Sequence, residues 1–246
     1  MMNALNRMRE EDPTWVVEQS KELRQILVHG QGEFHLRTLK WRMENNEKIN
    51  IKYEEPRIPY RETITKAARA DYRHKKQSGG AGQFARVKIK FEPLPAGSGF
   101  QFENEVVGGS VPKEYIPGVE KGFELAKETG VLAGYPCTDF KATLIDGAYH
   151  DVDSSVLAFE IAARAAFREG IPQAGPKIME PIMKVEIVTP DAYFGGLMGN
   201  VTARRGIIQG TEDRNGVKVI DANIPLSEMF GYATDLRSRT QGRGNY

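Results

Sequence analysis

Between residues 84 and 91, Val87, Ile89 and Phe91 alternate with Arg86, Lys88 and Lys90. That period of two predicts a strand with one apolar and one cationic face. Further strands are expected at 100–107 and 141–145. One helix carries Tyr115, Val119, Phe123 and Ala126 on a single side and stops at Gly130. A second, over 155–169, places Val156, Phe159, Ala163 and Phe167 on one face, with Ser154 or Ser155 to cap it and Gly170 to end it. Before this middle segment the chain reads helix (3–11, stopped by Asp12-Pro13), strand (14–19), strand (23–29), helix (33–45, with Leu36, Leu39 and Met43 aligned) and strand (48–53, alternating Ile49, Ile51 and Tyr53). After it come a strand (183–188) and a helix carrying Phe194, Leu197, Met198 and Val201, closed by Gly206. Two strands (207–213 and 217–224) then flank the turn Arg214-Asn215-Gly216, and a helix follows at 227–239. The last segment is thus β-α-β-β-α, the split βαβ pattern without its final strand, and the first is α-β-β-α-β, the same pattern without its first. Both ends read as cut from something longer.

Composition narrows the class. A length of 246 residues suits one large domain or two to three small ones, and 40% hydrophobic with 27% charged residues is ordinary for a globular protein. No apolar run approaches the roughly 20 residues that span a bilayer, and residues 1–10 lack the features of a secretory signal. The single cysteine, Cys137, excludes an intrachain disulfide and a cysteine-rich metal site, so a cytoplasmic setting is expected. Net charge is only +1. Its distribution says more: between Lys66 and Lys90 there are eight Lys/Arg against one acid, Asp71. Such a stretch is either a phosphate-backbone footprint or a solvated strand face.

Several blocks resemble elongation factor G, in that family's order. They are Tyr60-Arg61-Glu62-Thr63-Ile64, His74-Lys75-Lys76-Gln77-Ser78-Gly79-Gly80-Ala81-Gly82-Gln83-Phe84, Gly134-Tyr135-Pro136, the run Leu144-Ile145-Asp146-Gly147-Ala148-Tyr149-His150-Asp151-Val152-Asp153-Ser154-Ser155, Arg204-Arg205-Gly206, and Pro225-Leu226-Ser227-Glu228-Met229-Phe230-Gly231-Tyr232. Gly30-Gln31-Gly32-Glu33-Phe34-His35-Leu36 is similar to the glycine-rich turn and helix of the family's third domain. The resemblance implies an α+β chain of three domains. Residues 1–57 would be a ferredoxin-like domain III without its first strand, and 58–177 an arm-like domain IV with a ribosomal-protein-S5-domain-2-like fold. Residues 178–246 would be a ferredoxin-like domain V without its last strand. Some positions depart from the pattern: Ala81 and Ala85 in and after the glycine-rich loop, Val156-Leu157 after the double serine, and Asn200 where an aspartate is usual.

The same resemblance implies a monomeric, ribosome-binding part of a translational GTPase that promotes translocation of tRNA and mRNA. GTP and Mg would belong to an N-terminal GTPase domain outside this chain, leaving no cofactor, metal or catalytic residue within it. Two loops are expected to lie together at the tip of the arm. One holds Lys75, Lys76, Gln77, Ser78, Gly79, Gly80, Gly82 and Gln83, and the other Tyr149, His150 and Asp151. Lysines attract phosphate, glycine amides reach backbone oxygens, and Tyr149 or His150 can stack on or bond to bases and riboses. The partners implied are rRNA, the tRNA–mRNA duplex in the A site of the small ribosomal subunit, and the factor-binding region of the large one, the last through Arg204 and Arg205.

Plainer readings stand beside these. Asp153 is expected to cap the following helix, Arg204 and Arg205 suit a helix C-terminus, and His29 and His35 read as structural. Trp15 and Trp41 read as core or interface residues. The tip blocks favour a translocase over ribosomal protection factors, while a recycling role for an elongation-factor-G-like paralogue stays open. A hydrolase or metal site around His150, Asp151, Asp153 and Ser154 is the rival from another class, and sequence neighbours rarely form a working triad.

Overall fold

Residues Met1–Pro59 and Glu180–Tyr246 make one unit and Tyr60–Met179 another. The computed structural model describes residues 1–77, 80 and 82–246. In the first unit, helix α1 (Met2–Glu11) leads into strands β1 (Val16–Ser20) and β2 (Gln25–His29), followed by helix α2 (Glu33–Asn45). Asp12 ends α1 in an extended conformation, as a residue before proline must. β1 and β2 pair antiparallel, Val17 opposite Val28. Leu5, Met8, Trp15, Leu39 and Met43 form a core between the two helices and the hairpin.

The strand expected at 48–53 does not form. Ile49 and Ile51 pack against that core, which accounts for the alternation, but a groove of about 590 Å³ lined by Leu5, Ile26, Leu39, Met43, Ile51 and Tyr53 separates this stretch from β2. The stretch makes no backbone ladder with β2, and the chain meets that strand only further on, where Arg57 N–H donates to the Gln25 side chain at 2.8 Å. Tyr53 instead donates its hydroxyl to the Leu36 carbonyl at 2.7 Å.

The second unit contains β3 (Arg61–Thr63), β4 (Ala68–Lys76), β5 (Gln83–Pro93), β6 (Phe100–Asn104), α3 (Ile116–Ala126), β7 (Phe140–Ala148), α4 (Val156–Gly170) and β8 (Lys177–Met179). Its main sheet has the order β4-β5-β7-β6, antiparallel except for β6 beside β7. Val87, Ile89 and Phe91 are fully buried against Phe123 of α3 and Phe159 and Phe167 of α4. The two helices touch through Gly122, where a Cβ would stand 2.6 Å from the Glu160 carbonyl oxygen. α4 ends at Gly170, as expected. The chain continues as a 3₁₀ turn over Ile171–Ala174 and breaks at Gly175, φ 62°.

Sequence periodicity missed β3 and β8, which pair antiparallel as a two-stranded sheet of three residues each. β3 carries Glu62, 1% exposed. Its carboxylate accepts N–H bonds from Leu132 (3.0 Å), Ala133 (2.7 Å) and Tyr135 (3.2 Å). Two separated blocks of the sequence thereby meet: the Glu62 segment grips the Tyr135-Pro136 loop, and the Glu62 N–H donates to the Pro136 carbonyl at 2.8 Å.

The last residues of the first unit are β9 (Ile182–Thr189), α5 (Asp191–Ala203), β10 (Ile207–Arg214), β11 (Val217–Pro225) and α6 (Tyr232–Thr240). The sheet order β10-β11-β9, all antiparallel, is the ferredoxin-like arrangement expected for this segment. Asn215 and Gly216 both have positive φ, 51° and 85°, as a two-residue hairpin turn requires. Arg205, φ 54°, takes the left-handed position after α5 that the sequence assigned to Gly206. The helix expected at 227–239 divides into a 3₁₀ turn, Leu226–Glu228, and α6, with Gly231 at φ 73° between them. Beyond α6, Asn245 exchanges two backbone hydrogen bonds with Val188, at 2.8 and 2.9 Å. β9 therefore lies between β11 and Asn245.

Candidate nucleic-acid interface

β4 and β5 run as a hairpin whose last pair is Lys76 opposite Gln83. β7 lies on the other side of β5 and ends at Ala148, opposite Arg86. The topology therefore sets the hairpin end, at Lys76 and Gln83, beside the loop 149–155 that leads into α4. The contacts between them are close. Phe84 N–H donates to the Asp153 carbonyl at 2.8 Å, and Ser154 Oγ donates to the Phe84 carbonyl at 2.7 Å. A Cβ on Gly82 would stand 2.8 Å from the Asp153 carboxylate, so glycine allows the approach. Of the expected site residues, Ser78 and Gly79 lie outside the described residues, as does Ala81.

Within the second loop the bonds turn inward. Ser154 Oγ accepts from the His150 N–H at 2.9 Å, and His150 Nδ1 accepts from the backbone N–H groups of Val152 and Asp153, both at 3.3 Å. More than half of the His150 side chain remains exposed. Tyr149 is 43% and Val152 81% exposed. Ser155, not Asp153, caps α4 by accepting from Ala158 N–H at 3.0 Å. The cap expected of Asp153 is thus corrected: its carbonyl joins the two loops, and its carboxylate lies against Gly82 and 3.6 Å from His150 Nδ1. Of the residues that hold the loops together, Phe84 was not singled out in the sequence, and Ser154 was read there only as a possible helix cap or as part of a rival hydrolase or metal site. The doubled serine was the available signal, since one hydroxyl suffices for a helix cap.

The basic stretch divides in two. Arg86 makes a bidentate pair with Asp71 (2.8 and 2.7 Å). Lys88 meets Asp146 at 2.6 Å, and Lys90 meets Glu92 at 2.7 Å. These partners hold Asp71 and Glu92 below the usual carboxylate range. The Lys88 ammonium, with the Gly147 N–H, holds Asp146 at about 2. The three cations of β5 are therefore neutralised along the strand, while the five on and before β4 have no carboxylate partner among the described residues. At the hairpin end Lys75 and Lys76 are exposed, and among the described residues no carboxylate pairs with them. Arg73 lies over the Phe84 ring, 5.3 Å from its centroid, and His74 Nε2 meets Gln83 Oε1 at 2.9 Å.

Other candidates resolve differently. His35 stacks on Trp15 (3.3 Å, 20°) and meets Asp12 at 3.0 Å, so it fastens the α2 entry. Trp15 is buried, whereas Trp41 is 59% exposed. Arg204 pairs with Asp235 at 2.8 Å, lies over Tyr232 and donates to the Glu228 carbonyl. Asn200 donates to the same Asp235 at 3.1 Å. Arg205 is half-exposed and holds Glu180 (2.7 and 3.0 Å) and Glu228 (3.2 Å). Those two carboxylates raise its already high pKa further.

Around His150 the geometry does not make a hydrolytic triad, because the Ser154 hydroxyl hydrogen goes to the Phe84 carbonyl and not to an imidazole. Among the described residues no group of three His, Cys, Asp or Glu side chains could hold a metal ion. Cys137 is buried, and burial, with Glu62 and Asp139 adding to it, pushes its thiol up to about 12, far from a reactive thiolate. No helix among the described residues is long and apolar enough to cross a membrane.

Comparison with known proteins supplies the remaining findings. Residues 1–55 match the family model "Elongation Factor G, domain III", 56–175 "Elongation factor G, domain IV" and 177–246 "Elongation factor G C-terminus". Proteins named Elongation factor G from Orientia tsutsugamushi, strains Ikeda and Boryong, are each 56% identical over 243 residues. That alignment covers 99% of this chain and 34% of either relative, so the chain spans about a third of their length. A crystal structure of a protein from Thermus thermophilus superposes with a TM-score of 0.90 at 38% identity, covering 99% of this chain and 36% of that one.

Proposed function

The chain belongs to the elongation factor G family, and on that premise we propose that it engages the ribosome as the non-GTPase part of a translation factor moving tRNA and mRNA. In this reading the hairpin end, with Lys75, Lys76, Gln77, Gly80, Gly82, Gln83, Tyr149, His150 and Asp151, contacts RNA in the decoding region of the small subunit. Ser78 and Gly79 belong to the same proposed surface by sequence. One observation carries the reading: the cations of β5 are each paired with a carboxylate, whereas among the described residues Lys75 and Lys76, at the end where two loops are fastened together, have no carboxylate partner. They stand on the same strand as the likewise unpaired Arg69 and Arg73. Unpaired lysines supply the sequence-independent attraction to phosphate, and the exposed Tyr149 and His150 supply groups that stack on or bond to unstacked bases and riboses. The action is steric and electrostatic, with no bond made or broken. GTP and Mg are assigned to a domain outside these residues.

For Arg204 the bonds to Asp235 and Glu228 support a structural role. A contact with the large subunit is proposed through the half-exposed Arg205. The test of the main reading is kinetic. In a full-length elongation factor G carrying these residues, His150→Ala combined with Lys75→Ala should slow translocation by about tenfold or more, a loss of roughly 1.4 kcal/mol or more in transition-state stabilisation. Ribosome-stimulated GTP hydrolysis should stay close to that of the parent. Wild-type translocation in the double variant would refute the tip assignment.

A further inference from the structure

We propose that Ser154 is a positioning residue that fixes His150 as a hydrogen-bond donor, so that the group His150 meets is an acceptor atom of RNA, not a donor. This rests on the reading of the hairpin end as the RNA-contacting surface, and it assigns that surface a direction of bonding. The argument begins at Nδ1. Two backbone N–H groups, of Val152 and Asp153, point at that atom, each at 3.3 Å. A nitrogen that accepts from N–H groups carries no hydrogen, so in the neutral ring the hydrogen resides on Nε2. Nε2–H then has one role available to it, donation. Phosphate oxygens, ribose hydroxyl oxygens and base carbonyls satisfy such a donor, whereas base amino groups do not.

The turn that aims the two N–H groups is held from outside the loop. Ser154 Oγ receives the His150 N–H at 2.9 Å and gives its own hydrogen to the Phe84 carbonyl on β5 at 2.7 Å. The Ser154 N–H closes the turn on the His150 carbonyl at 3.1 Å. The Phe84 N–H, bonded to the Asp153 carbonyl at 2.8 Å, forms the second tie to the same residue of β5. One hydroxyl thus links the sheet to the backbone of the histidine it orients. Ser155 is the helix cap, so Ser154 is not needed for that purpose. Asp153 Oδ2, 3.6 Å from Nδ1, is an acceptor facing an acceptor. The two backbone bonds are therefore needed to keep the hydrogen off Nδ1.

The test has a spectroscopic arm and a kinetic one. The chain holds four histidines, so ring ¹⁵N–¹H correlation spectra of the ¹⁵N-histidine-labelled 246-residue chain, in mildly alkaline solution, can be assigned with His150→Ala. The expected spectrum shows His150 protonated at Nε2 and bare at Nδ1. A dominant Nδ1–H form, or signals averaged between the two, would overturn the proposal. In Ser154→Ala the His150 signals should average while those of His29 and His35 stay in place, and Ser154→Thr, which keeps the hydroxyl, should restore the fixed form. An unchanged His150 signature in Ser154→Ala would remove Ser154 from the proposal. Should Ser154→Ala fail to fold, the wild-type and Ser154→Thr spectra still decide the point.

In the kinetic arm, a full-length factor carrying this segment is assayed for translocation with three replacements. Gln presents an N–H near the position of Nε2 and Asn near that of Nδ1. His150→Gln should recover most of the roughly tenfold loss caused by His150→Ala, and His150→Asn should not. The reverse order would overturn the donor assignment. Should His150→Ala translocate at the parental rate, the RNA-contact reading itself falls, and the spectra report separately on the tautomer.

Discussion

Glu62 faces three backbone N–H groups in a site almost closed to water. A buried carboxylate is tolerable only when its lone pairs are filled, and charge-assisted bonds of this kind are the stronger ones. Glu62→Gln keeps the shape but replaces one acceptor oxygen with an NH₂ facing N–H donors. A loss of about 2–4 kcal/mol in unfolding free energy is expected, measurable by urea denaturation at neutral pH. A change below about 0.5 kcal/mol would mean that the loop 130–136 is held by other contacts. Gly82→Ala is a milder case: its Cβ would press on the Asp153 carboxylate. That should loosen the two-loop junction, seen as faster hydrogen exchange of the Phe84 N–H, with about 1 kcal/mol lost. Neither residue was legible as structural. Glu62 sits in a polar stretch whose partners lie some 70 positions away, and the closeness of Gly82 to Asp153 exists only once β5 and β7 pair.

At the scale of elements, alternation was legible where one face of a strand is apolar and deeply covered. β5 follows it residue for residue, since Val87, Ile89 and Phe91 must leave water together. What alternation does not reveal is how the opposite face is spent. Arg86, Lys88 and Lys90 read equally as an RNA footprint or as a solvated row, and only the neighbouring strands, with Asp71 and Asp146, decide it. The stretch 48–53 shows the converse: a period of two without a ladder, since burial of Ile49 and Ile51 needs a core but pairing needs backbone contact with an edge.

The ion-pair row carries its own prediction. Asp146 is held at about 2 by Lys88 and the Gly147 N–H, below its ordinary 3.8. A depressed carboxylate pKa contributes stability that is present above the ordinary value and is lost as pH falls through the folded one. The contribution of this pair should therefore be intact at neutral pH and fade between about 4 and about 2. Lys88→Met should move the Asp146 titration, followed by carboxyl ¹³C shifts, upward toward the ordinary carboxylate range. An unmoved titration would assign the depression to the Gly147 N–H and the Ser110 hydroxyl.

For the whole molecule, none of the folded elements supplies a phosphate-gripping Gly-Lys-Ser/Thr turn. Isothermal titration of the 246-residue chain with GTP should accordingly give no measurable heat of binding, and micromolar affinity would contradict the assignment of GTP to another domain. The division of the chain also has a consequence for experiment. Arg61–Thr63 and Lys177–Met179 pair antiparallel, Arg61 opposite Met179, so the middle unit's own two ends are zipped together a residue or so from where it begins and stops. A module closed in that way is an insertion with its own fastening. It is expected to fold when produced by itself, which circular dichroism of residues 60–179 would check. The proposed RNA-contacting end can thus be tested as a portable part, by measuring the affinity of the middle unit alone for a decoding-site RNA.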